Sequence, residues 1–543
     1  MKTTELNLQV VRYGIPDPGH TCYHVRLRLE PAVPEEVTVS QVRADGNRVR
    51  DFWVYNDGHF DRKNQFQPGR QGELIVRLDW SNDSAHRVEI DLVDNAGHTY
   101  SLSRESTAPA WGGYWDSRWR YYGATVLQEY SGLDRKGEPV HLLLGVYTDR
   151  VTDPQREVRV VAVDPVSGLP GEIPCQVYGV STWDKRRDEH CQPTTTFQVA
   201  FLSDVPARTA KVYLIFYGNS EAPLPDYPTD LAISGDGLGL TVENSHYRIN
   251  LHPKSGAIDE IHLKQGVNVQ FAHHLETNGA LHWNPGVYAP PRTWIHASDW
   301  DPPANYTTMS GPVFFMTKRW GAFPEYPEVE CSVTYTFYAH QPYMMMSSTL
   351  DVVKALDVQA LRNGEIVVNQ EVVREFAWKK LTGDIGTVVI KDRPRHPTRA
   401  MDLDAKTPWW AFFNRDIPCA LSAINLELSA TWRQEGLNSW EPYFYLHWGP
   451  WYYCARPLVY TFATPNPQRV VHVPASSSYY ERMAIYPCRL GAADEDRFRP
   501  IEQMHQQLAK PLSVSVVTFD IDPRVPEEWV PPILVSEFEE MED

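Results

Sequence analysis

Short stretches in which apolar and polar residues alternate are the feature that most constrains the fold of this chain. The segments VEIDLVDNAGHTYSL (88–102) and EVECSVTYTFYAH (328–340) follow this pattern, and Gly, Pro, Asn and Asp separate such segments. A period of two is typical of β-strands with one buried face. The 43 prolines suit sheet edges and loops rather than helices. The sequence therefore predicts an all-β protein, with a clear helical pattern only in IEQMHQQLAK (501–510).

Composition and charge exclude several classes of protein. Strands do not alternate with helical segments, and neither a GxGxxG motif nor a Walker loop occurs, so a nucleotide-binding α/β domain is not expected. The net charge is -18 and the isoelectric point is about 5.5. Since such a charge repels phosphate backbones, we expect no nucleic-acid partner.

The cysteines and the N-terminus bear on location. The seven cysteines are odd in number and form no CxxC pair, which predicts neither a disulfide framework nor a structural zinc site. The start MKTTELNLQVVRYG lacks the apolar core of a signal peptide, and no apolar run approaches membrane-spanning length. We expect a cytoplasmic protein without a membrane partner. A signal removed beforehand would leave the same sequence.

The composition divides the chain into three regions. Residues 1–105 read as a β-sandwich that ends near SLSRESTAPA, and residues 106–232 read as a second β-sandwich region that ends in the proline-rich linker EAPLPDYPTDL. Residues 233–543 form one large β region. Because this region is long for a simple sandwich, it predicts two extended sheets packed face to face with elaborated loops.

The third region opens with a hairpin pattern in LTVENSHYRINLHPKSGAIDEIHLKQGVNV (240–269). Lys254, Ser255 and Gly256 supply the turn. The alternating apolar face consists of Tyr247, Ile249, Ile258 and Ile261. The segment resembles the start of the large β domain of retaining alpha-mannosidases and, more widely, the galactose-mutarotase-like supersandwich of aldose epimerases and polysaccharide lyases. The resemblance implies a supersandwich for residues 233–543. No mannosidase barrel precedes it, so the mannosidase nucleophile is not carried over.

The segment HWNPGVYAPPRTWIHASDWD (282–301) concentrates aromatic and ionisable residues. Three prolines and a glycine interrupt it, which predicts a long irregular loop. Indole rings stack on the C–H faces of sugars, while polar groups bind hydroxyls or move protons. We therefore expect a carbohydrate substrate at this loop. The alternative is a rigid loop whose histidines only satisfy backbone carbonyls.

The reaction that these residues favour is β-elimination at a uronic acid. It requires a group that neutralises the carboxylate, a base for the C5 proton and an acid for the leaving oxygen. The candidates in that order are Arg292 or Arg362 with Asn363, then His282 or His296, then Tyr288 or Tyr445. The expected product is an unsaturated uronate.

Further side chains are expected to contact the sugar. They are Trp283, Trp294, Asp299 and Trp300 from the loop, and His447 and Trp448 from a second aromatic cluster at 438–457. For Arg362 and Asn363 a structural alternative stays open, because Asn-Gly at 363–364 is a favoured hairpin turn. No cofactor is predicted, since His273, His274 and Glu276 match no zinc spacing; a divalent cation is the alternative.

Three other functions stay open. A glycoside hydrolase would need two carboxylates across a cleft, drawn from Glu276, Asp299, Asp301, Glu365 and Glu441. A sugar epimerase would interconvert anomers without cleavage. A non-catalytic carbohydrate-binding or structural subunit would bind sugar without turnover. The edges of large sheets are also compatible with a homodimer.

Overall fold

A computed structural model describes residues 6–13, 22–79, 85–107, 115–183, 193–264, 269–272, 285–368, 372–390, 398–432, 444–448, 452–461 and 468–521. Within these ranges the chain is almost entirely β-strand, with two α-helices, which confirms the predicted multi-domain all-β fold. Neither described helix is long and apolar enough to cross a membrane. The chain forms two compact units, Met1–Tyr227 with Leu512–Asp543, and Pro228–Pro511.

The first unit begins with two antiparallel sheets that form a sandwich. The strands are β1 (Asn7–Tyr13), β2 (Cys22–Glu30), β3 (Val37–Ala44), β4 (Asn47–Val49), β5 (Phe52–Asn56), β6 (His59–Asp61), β7 (Gln65–Phe66), β8 (Gly72–Asp79), β9 (Ala85–Asp94) and β10 (Thr99–Thr107). One sheet has the order β1-β2-β8-β5-β6, and the other has the order β10-β9-β3-β4, with β7 on β3. Alternate residues such as Leu27 and Ile90 are buried between the sheets, so the period-two pattern sets which face lies inside.

A second pair of sheets completes this unit. Its elements are β11 (Tyr121–Gln128), β12 (Arg135–Tyr147), α1 (Pro154–Glu157), β13 (Arg159–Val163), β14 (Pro170–Ile173), β15 (Cys175–Trp183), β16 (Thr194–Val205) and β17 (Ala210–Tyr217). The strands pair in the orders β14-β13-β17-β11 and β12-β16-β15. Leu142, Phe197 and Ile215 belong to the core between them.

The described residues of the second unit form four sheets. Its elements are β18 (Ala232–Asp236), β19 (Gly239–Glu243), β20 (Tyr247–Leu251), β21 (Ile258–Leu263), β22 (Val269–Ala272), β23 (Gly286–Tyr288), β24 (Ile295–His296), β25 (Asn305–Ser310), β26 (Phe314–Phe323), β27 (Tyr326–Tyr338), β28 (Met344–Val352), β29 (Leu356–Val358), β30 (Ala360–Val368), β31 (Glu375–Lys379), β32 (Ile385–Val389), β33 (Thr398–Leu403), β34 (Trp409–Asn414), β35 (Cys419–Ala430), β36 (Phe444–Trp448), β37 (Tyr452–Tyr460), β38 (Val471–Val473), β39 (Ser477–Arg489) and α2 (Arg499–Ala509). The sheets have the orders β18-β19-β20-β21-β22, β24-β23-β30-β37-β36-β33, β25-β26-β27-β28-β39-β35-β34-β31-β32 and β29-β38. Helix α2 lies where IEQMHQQLAK predicted a helix.

Buried polar bonds join the six-stranded sheet to the nine-stranded sheet. The amide Nδ2 of Asn363 on β30 donates to Oε2 of Glu481 on β39, at 2.7 Å. Ser348 on β28 donates to Oδ1 of Asn363 at 3.1 Å, and Nε of Arg456 on β37 donates to Oε1 of Glu481 at 2.6 Å. All four side chains are at most 1% exposed. The inner faces of the two sheets therefore meet here, as expected for sheets packed face to face.

The opening hairpin of this unit has the form that its sequence predicted. Strands β20 and β21 pair antiparallel, and Gly256 in the connecting turn has φ of 66°. Such a backbone conformation favours glycine. The four predicted apolar residues, Tyr247, Ile249, Ile258 and Ile261, are at most 1% exposed.

The last described strand, β40 (Ser513–Ile521), belongs to the first unit. It pairs antiparallel with β11, and Oγ1 of Thr125 donates to the carbonyl of Ser515, 390 residues away. Residues 512–521 were expected in the third region. The sequence pattern of a strand does not specify which strand it pairs with. These residues were assigned to the third region only because they follow it in the sequence. The boundaries near 105 and 232 stay predictions.

Candidate functional site

A row of three residues crosses one edge of the six-stranded sheet. Gly286 on β23 pairs with His296 on the edge strand β24 and with Arg362 on β30. Residues that lie directly opposite each other on neighbouring antiparallel strands project from the same face of a sheet. His296, Gly286 and Arg362 therefore share one face, in that order.

Gly286 leaves the middle of this row open. A Cβ atom at this position would lie 2.7 Å from Cδ2 of His296 and 3.0 Å from Nε1 of Trp294, so any larger residue would displace one of these rings. Because glycine has no side chain, the imidazole lies over this position and reaches the next strand. Nη2 of Arg362 is 2.8 Å from Nε2 of His296.

This contact sets the role of one ring nitrogen of His296. A guanidinium only donates hydrogen bonds, so Nε2 of His296 is the acceptor at this contact. Nδ1 lies 3.7 Å from Oδ2 of Asp299, and the same oxygen accepts the backbone N–H of His296 at 2.7 Å. Both ring nitrogens are thus oriented by neighbouring charged groups.

Asp299 is held in its ionised form. Partial burial raises the pKa of its carboxyl group, but the nearby imidazole and the backbone N–H of His296 outweigh burial, so the pKa lies below its usual range. Asp299 ends the single-turn 3-10 helix Ala297–Asp299. It therefore presents a carboxylate, not a proton donor, at neutral pH.

A bulge in β30 places Arg362 and Glu365 together. Arg362 pairs with Pro457 and Gly364 pairs with Arg456, which leaves Asn363 as an extra residue in the register with β37. Residues three apart in a regular strand point to opposite faces, and one extra residue brings them to the same face. Nη1 of Arg362 accordingly lies 2.9 Å from Oε2 of Glu365. The contact is an ion pair by distance rather than a well-aligned hydrogen bond.

Aromatic rings extend the site along the edge strands. The ring of Trp294 lies 5.5 Å from that of Tyr288 with an interplanar angle of 7°, and 5.7 Å from the imidazole of His296 with an angle of 18°. Cζ of Arg362 lies 5.0 Å from the centre of the Trp294 ring. Tyr288, Trp294 and His296 are half-buried. They form a partly accessible aromatic surface beside the guanidinium.

The charged groups form a line that runs from solvent to the interior. Side-chain exposure falls from 45% for Asp299 to 14% for His296, then to 6% for Arg362 and 1% for Glu365. A ligand therefore reaches His296 before it reaches Arg362. The contact with Arg362 occupies Nε2 of His296.

Arg292 does not join this row. Its Nη1 donates to Oε2 of Glu328 at 3.0 Å and to the carbonyl of Glu325 at 2.9 Å, and its Cζ lies 4.2 Å from the centre of the Tyr326 ring. Arg292 is thus held by Glu328 and by the carbonyl of Glu325. Of the two predicted arginines, the structure brings only Arg362 to His296.

Two residues that were expected to contact the sugar lie in the interior. Trp300 is 2% exposed, its Nε1 donates to the carbonyl of Ala322 at 3.0 Å, and its ring packs on Phe323. Asn363 is fully buried in the bonds between the two sheets. Neither side chain is accessible to a ligand.

The Asn-Gly dipeptide at 363–364 is not a hairpin turn. Strand β30 runs through both residues and pairs with β23 on one side and β37 on the other. The apolar residues on both sides of the dipeptide favour a buried central strand, and this pairing overrides the local turn preference. A bulge, not a reversal, accommodates the dipeptide.

The remaining predicted residues are described only in part. His282 and Trp283 lie outside the described residues, as do His273, His274, Glu276 and Glu441. For Tyr445, His447 and Trp448 the strand β36 is described, but their side chains are not. Tyr445 pairs with Ala455, and Ala455 pairs with Glu365, so its backbone lies two strands from the site.

Sequence reasoning missed Gly286 and did not connect Glu365 with Arg362. An isolated glycine within a strand often marks the close approach of another group, which is the signal that Gly286 carried. Asp301, one of the carboxylates considered for glycoside hydrolysis, pairs with Nζ of Lys254 at 2.8 Å on the surface. Among the residues that the structure describes, no group of three or more His, Cys, Asp or Glu side chains is arranged to hold a metal ion.

Comparison with known proteins gives structural likeness only. No protein-family profile matches the chain, and no curated protein matches its sequence. An alpha-mannosidase from Enterococcus faecalis V583 is 12% identical with a TM-score of 0.46, over 76% of this chain and 47% of that one. A glycosyl hydrolase family 38 protein from Enterococcus faecalis is 12% identical with a TM-score of 0.45, over 75% and 48%.

A galactose mutarotase-like protein from Clostridium acetobutylicum is 9% identical with a TM-score of 0.29, over 48% of this chain and 99% of that one. These are the kinds of protein that residues 240–269 resemble. The chain spans about half the length of the two Enterococcus proteins. With TM-scores below 0.5, these likenesses do not establish an activity for it.

Proposed function

We propose that this chain is a carbohydrate-active enzyme that cleaves a uronic-acid-containing oligosaccharide or glycan by β-elimination. The observation that supports this proposal is the row of His296, Gly286 and Arg362, with Tyr288 on the same strand as Gly286. An imidazole, a guanidinium and a phenol are the three groups that the reaction requires. His296 and Arg362 are 66 residues apart in sequence and 2.8 Å apart in space.

The proposed first step is an exchange of acceptors at Arg362. The carboxylate of the uronate takes the place of His296 at Nη2, because a carboxylate is a stronger acceptor for a guanidinium than a neutral imidazole. Glu365 stays against Nη1 and keeps the guanidinium in position. The exchange frees the lone pair on Nε2 of His296. A neutral sugar cannot make this exchange and would leave His296 bound.

The proposed chemical step then follows. Nε2 of His296 accepts the proton from C5, whose acidity is raised by the neutralised carboxylate. The C4–O bond breaks, and the leaving glycosidic oxygen takes the phenolic proton of Tyr288. A C4=C5 double bond forms in the uronate. Trp294, whose ring stacks on those of Tyr288 and His296, would hold these two side chains in position.

A panel of uronate-containing oligosaccharides tests this proposal. We expect ultraviolet absorbance from the unsaturated product, and none when the carboxyl groups of the same oligosaccharides have been reduced to alcohols. His296→Gln, Arg362→Lys and Tyr288→Phe should each lower the rate by at least about a hundredfold. His472→Gln is the matched control, because His472 is exposed and paired with exposed Asp357. Circular dichroism of each variant separates lost chemistry from lost folding.

Other outcomes would replace this proposal. Release of reducing sugar without absorbance would indicate glycoside hydrolysis, for which Asp299 offers an exposed carboxylate. Anomer interconversion without cleavage would indicate an epimerase. Sugar binding with no turnover, unchanged in the His296 variant, would indicate a non-catalytic subunit.

A further inference from the structure

The first unit contains a cleft of 960 Å³ between strands β1 and β10 of the first sandwich and the ends of β11 and β17. None of its lining residues belongs to the sheet that carries His296. Sites for small ligands commonly have volumes of about 300–1,000 Å³ and lie between domains. We infer that this cleft is a second carbohydrate-binding site, which takes an anionic segment of a glycan.

Two arginines in the cleft are not compensated by nearby acids. Arg104 on β10 and Arg208 in the turn before β17 both line the cleft and are exposed. Within the described ranges, neither guanidinium takes part in an ion pair. The chain as a whole carries a net charge of -18, so most of its surface repels anions. Two cations that face one concave surface create a local positive potential there.

The buried acid of the cleft, Glu129, shares one arginine with a second acid. Glu129 is 2% exposed, and its Oε1 accepts a hydrogen bond from Nη2 of Arg135 at 2.9 Å. Its Oε2 accepts the backbone N–H groups of Gly132 at 2.7 Å and Arg208 at 3.1 Å. Glu129 is therefore paired with Arg135, which also pairs with Glu138 at 2.8 Å, and the second oxygen of Glu129 fixes the backbone of Arg208, which has φ of 57°. This anchoring holds the Arg208 side chain at the cleft.

The exposed acid of the cleft, Glu105, forms no ion pair among the described residues. Glu105 on β10 lies directly opposite Arg87 on β9 in the sheet register, and both line the cleft. Arg87 is also 3.2 Å from Glu89. Arg87 is thus the partner of Glu89, and Arg104 and Arg208 are the guanidiniums of the cleft that form no ion pair among the described residues. Two separated guanidiniums suit a ligand with more than one negative group.

The rest of the lining suits a sugar rather than an apolar ligand. Tyr130 is 46% exposed at the cleft, and a phenol ring stacks on the C–H face of a pyranose while its hydroxyl stays in water. Asn7, Gln9 and Gln128 add amide groups that both donate and accept hydrogen bonds. The anionic groups of such a ligand are uronate carboxylates or sulfate esters. The inference shares this ligand class with the proposed function but does not depend on catalysis.

Calorimetric titration of the full chain tests the inference with three oligosaccharides of equal length, one uronate-containing, one sulfated and one neutral. We expect the anionic ligands to bind with an affinity that falls as salt rises, and the neutral one to bind at least tenfold more weakly. The double variant Arg104→Ala/Arg208→Ala should lose this binding by at least tenfold. The control is Arg48→Ala/Arg50→Ala, two exposed arginines of the same unit that do not line the cleft.

Equal affinity of the two double variants for both anionic ligands would overturn the inference, as would equal binding of the neutral oligosaccharide. Preference between the uronate and the sulfated ligand identifies the anionic group. Hydrogen exchange provides a second measurement, with protection expected in β1 and β10 on binding. Protection there without an unsaturated product would reject the proposed reaction and retain the cleft, and product formation without protection there would do the reverse.

Discussion

Arg362 donates a hydrogen bond to His296 although their strands are not neighbours. Strand β23 lies between β24 and β30, and the 2.8 Å contact passes over Gly286. At this contact the guanidinium donates and Nε2 of His296 accepts. The orientation of the proposed base therefore depends on a residue with no side chain.

Substitution of Gly286 by Ala is expected to break this contact. The added Cβ would lie 2.7 Å from Cδ2 of His296, so the imidazole must move away from Arg362. We expect a destabilisation of about 1–3 kcal/mol from overpacking, and loss of any lyase activity. Urea denaturation and the product assay measure the two effects.

Gly145→Ala is the matched control within a strand. A Cβ at Gly145 would meet Cγ2 of Thr194 at 3.5 Å and Cγ2 of Thr196 at 3.7 Å, which are ordinary contacts. This change should be neutral or stabilise the protein by about 0.4–1 kcal/mol, because alanine reduces the entropy of the unfolded chain. Equal stability of both alanine variants would contradict the role given to Gly286.

Substitutions of the residues bonded to the buried carboxylate of Glu481, directly or through Asn363, should lower the stability of the protein in a defined order. Asn363→Ala removes a hydrogen-bond donor from the buried carboxylate and should lower the free energy of unfolding by about 1–3 kcal/mol. Ser348→Ala should lower it less. Asn363→Asp places a second carboxylate beside Glu481 and should cost most at pH 7. Urea denaturation of the three variants gives the order.

The Asn363→Asp variant should also respond to pH. Burial already raises the pKa of Glu481, although Arg456 and Asn363 oppose this, and a second carboxylate would raise it further. The folded state of the variant then binds more protons than the unfolded state, so its stability should recover as pH falls through the raised pKa. A variant no less stable than Asn363→Ala at neutral pH would count against this explanation.

The ion pair of Arg456 and Glu481 should behave as a coupled unit. Arg456→Met alone leaves a buried carboxylate without its cation and should cost about 3–5 kcal/mol. Adding Glu481→Leu should restore most of that loss, because two apolar side chains need no compensation. A double-mutant cycle measures the coupling, and additive losses would show that the two charges do not interact.

Acid should weaken the first sandwich through His24. Burial and then the charge of Arg77 lower the pKa of His24 to about 4, against 6.5 for an exposed histidine. Between these two values the unfolded chain binds the proton and the folded chain does not, so stability falls as pH decreases from about 6.5 to 4 and then levels. His24→Phe, which keeps a ring beside Trp53, should remove this component from a pH series of unfolding free energies.

Local patterns predicted the elements of the fold better than their partners. The alternation of Tyr247 and Ile249 with Ile258 gave the opening hairpin, because both strands and the turn lie within a short segment. The turn that Asn-Gly predicted at 363–364 was wrong, because β30 runs through this dipeptide and pairs with β23 and β37. Pairing over long separations, as for Thr125 and Ser515, depends on the whole sheet and is not encoded in either strand alone.

The candidate site shows the same limit. The residue types at His296, Arg362 and Tyr288 indicated acid–base chemistry from the sequence. Their juxtaposition results from the strand order β24-β23-β30, and the bulge at Asn363 adds Glu365 to Arg362. A linear pattern reveals neither feature. Trp300 and Trp294 lie in the same aromatic segment of the sequence. Packing buries Trp300 and leaves Trp294 half-buried, a difference that the sequence does not reveal.

The pairing of β40 with β11 makes Pro228–Pro511 an insertion within the first unit. Leu512 and Tyr227 contact the same hydrophobic core, so the chain leaves that core and returns to it. A fragment that stops after residue 227 would carry β11 with an open edge, a surface that invites association with other chains. To separate the two units, residues 228–511 should therefore be removed, and the segments before and after them should be joined because both belong to the first unit.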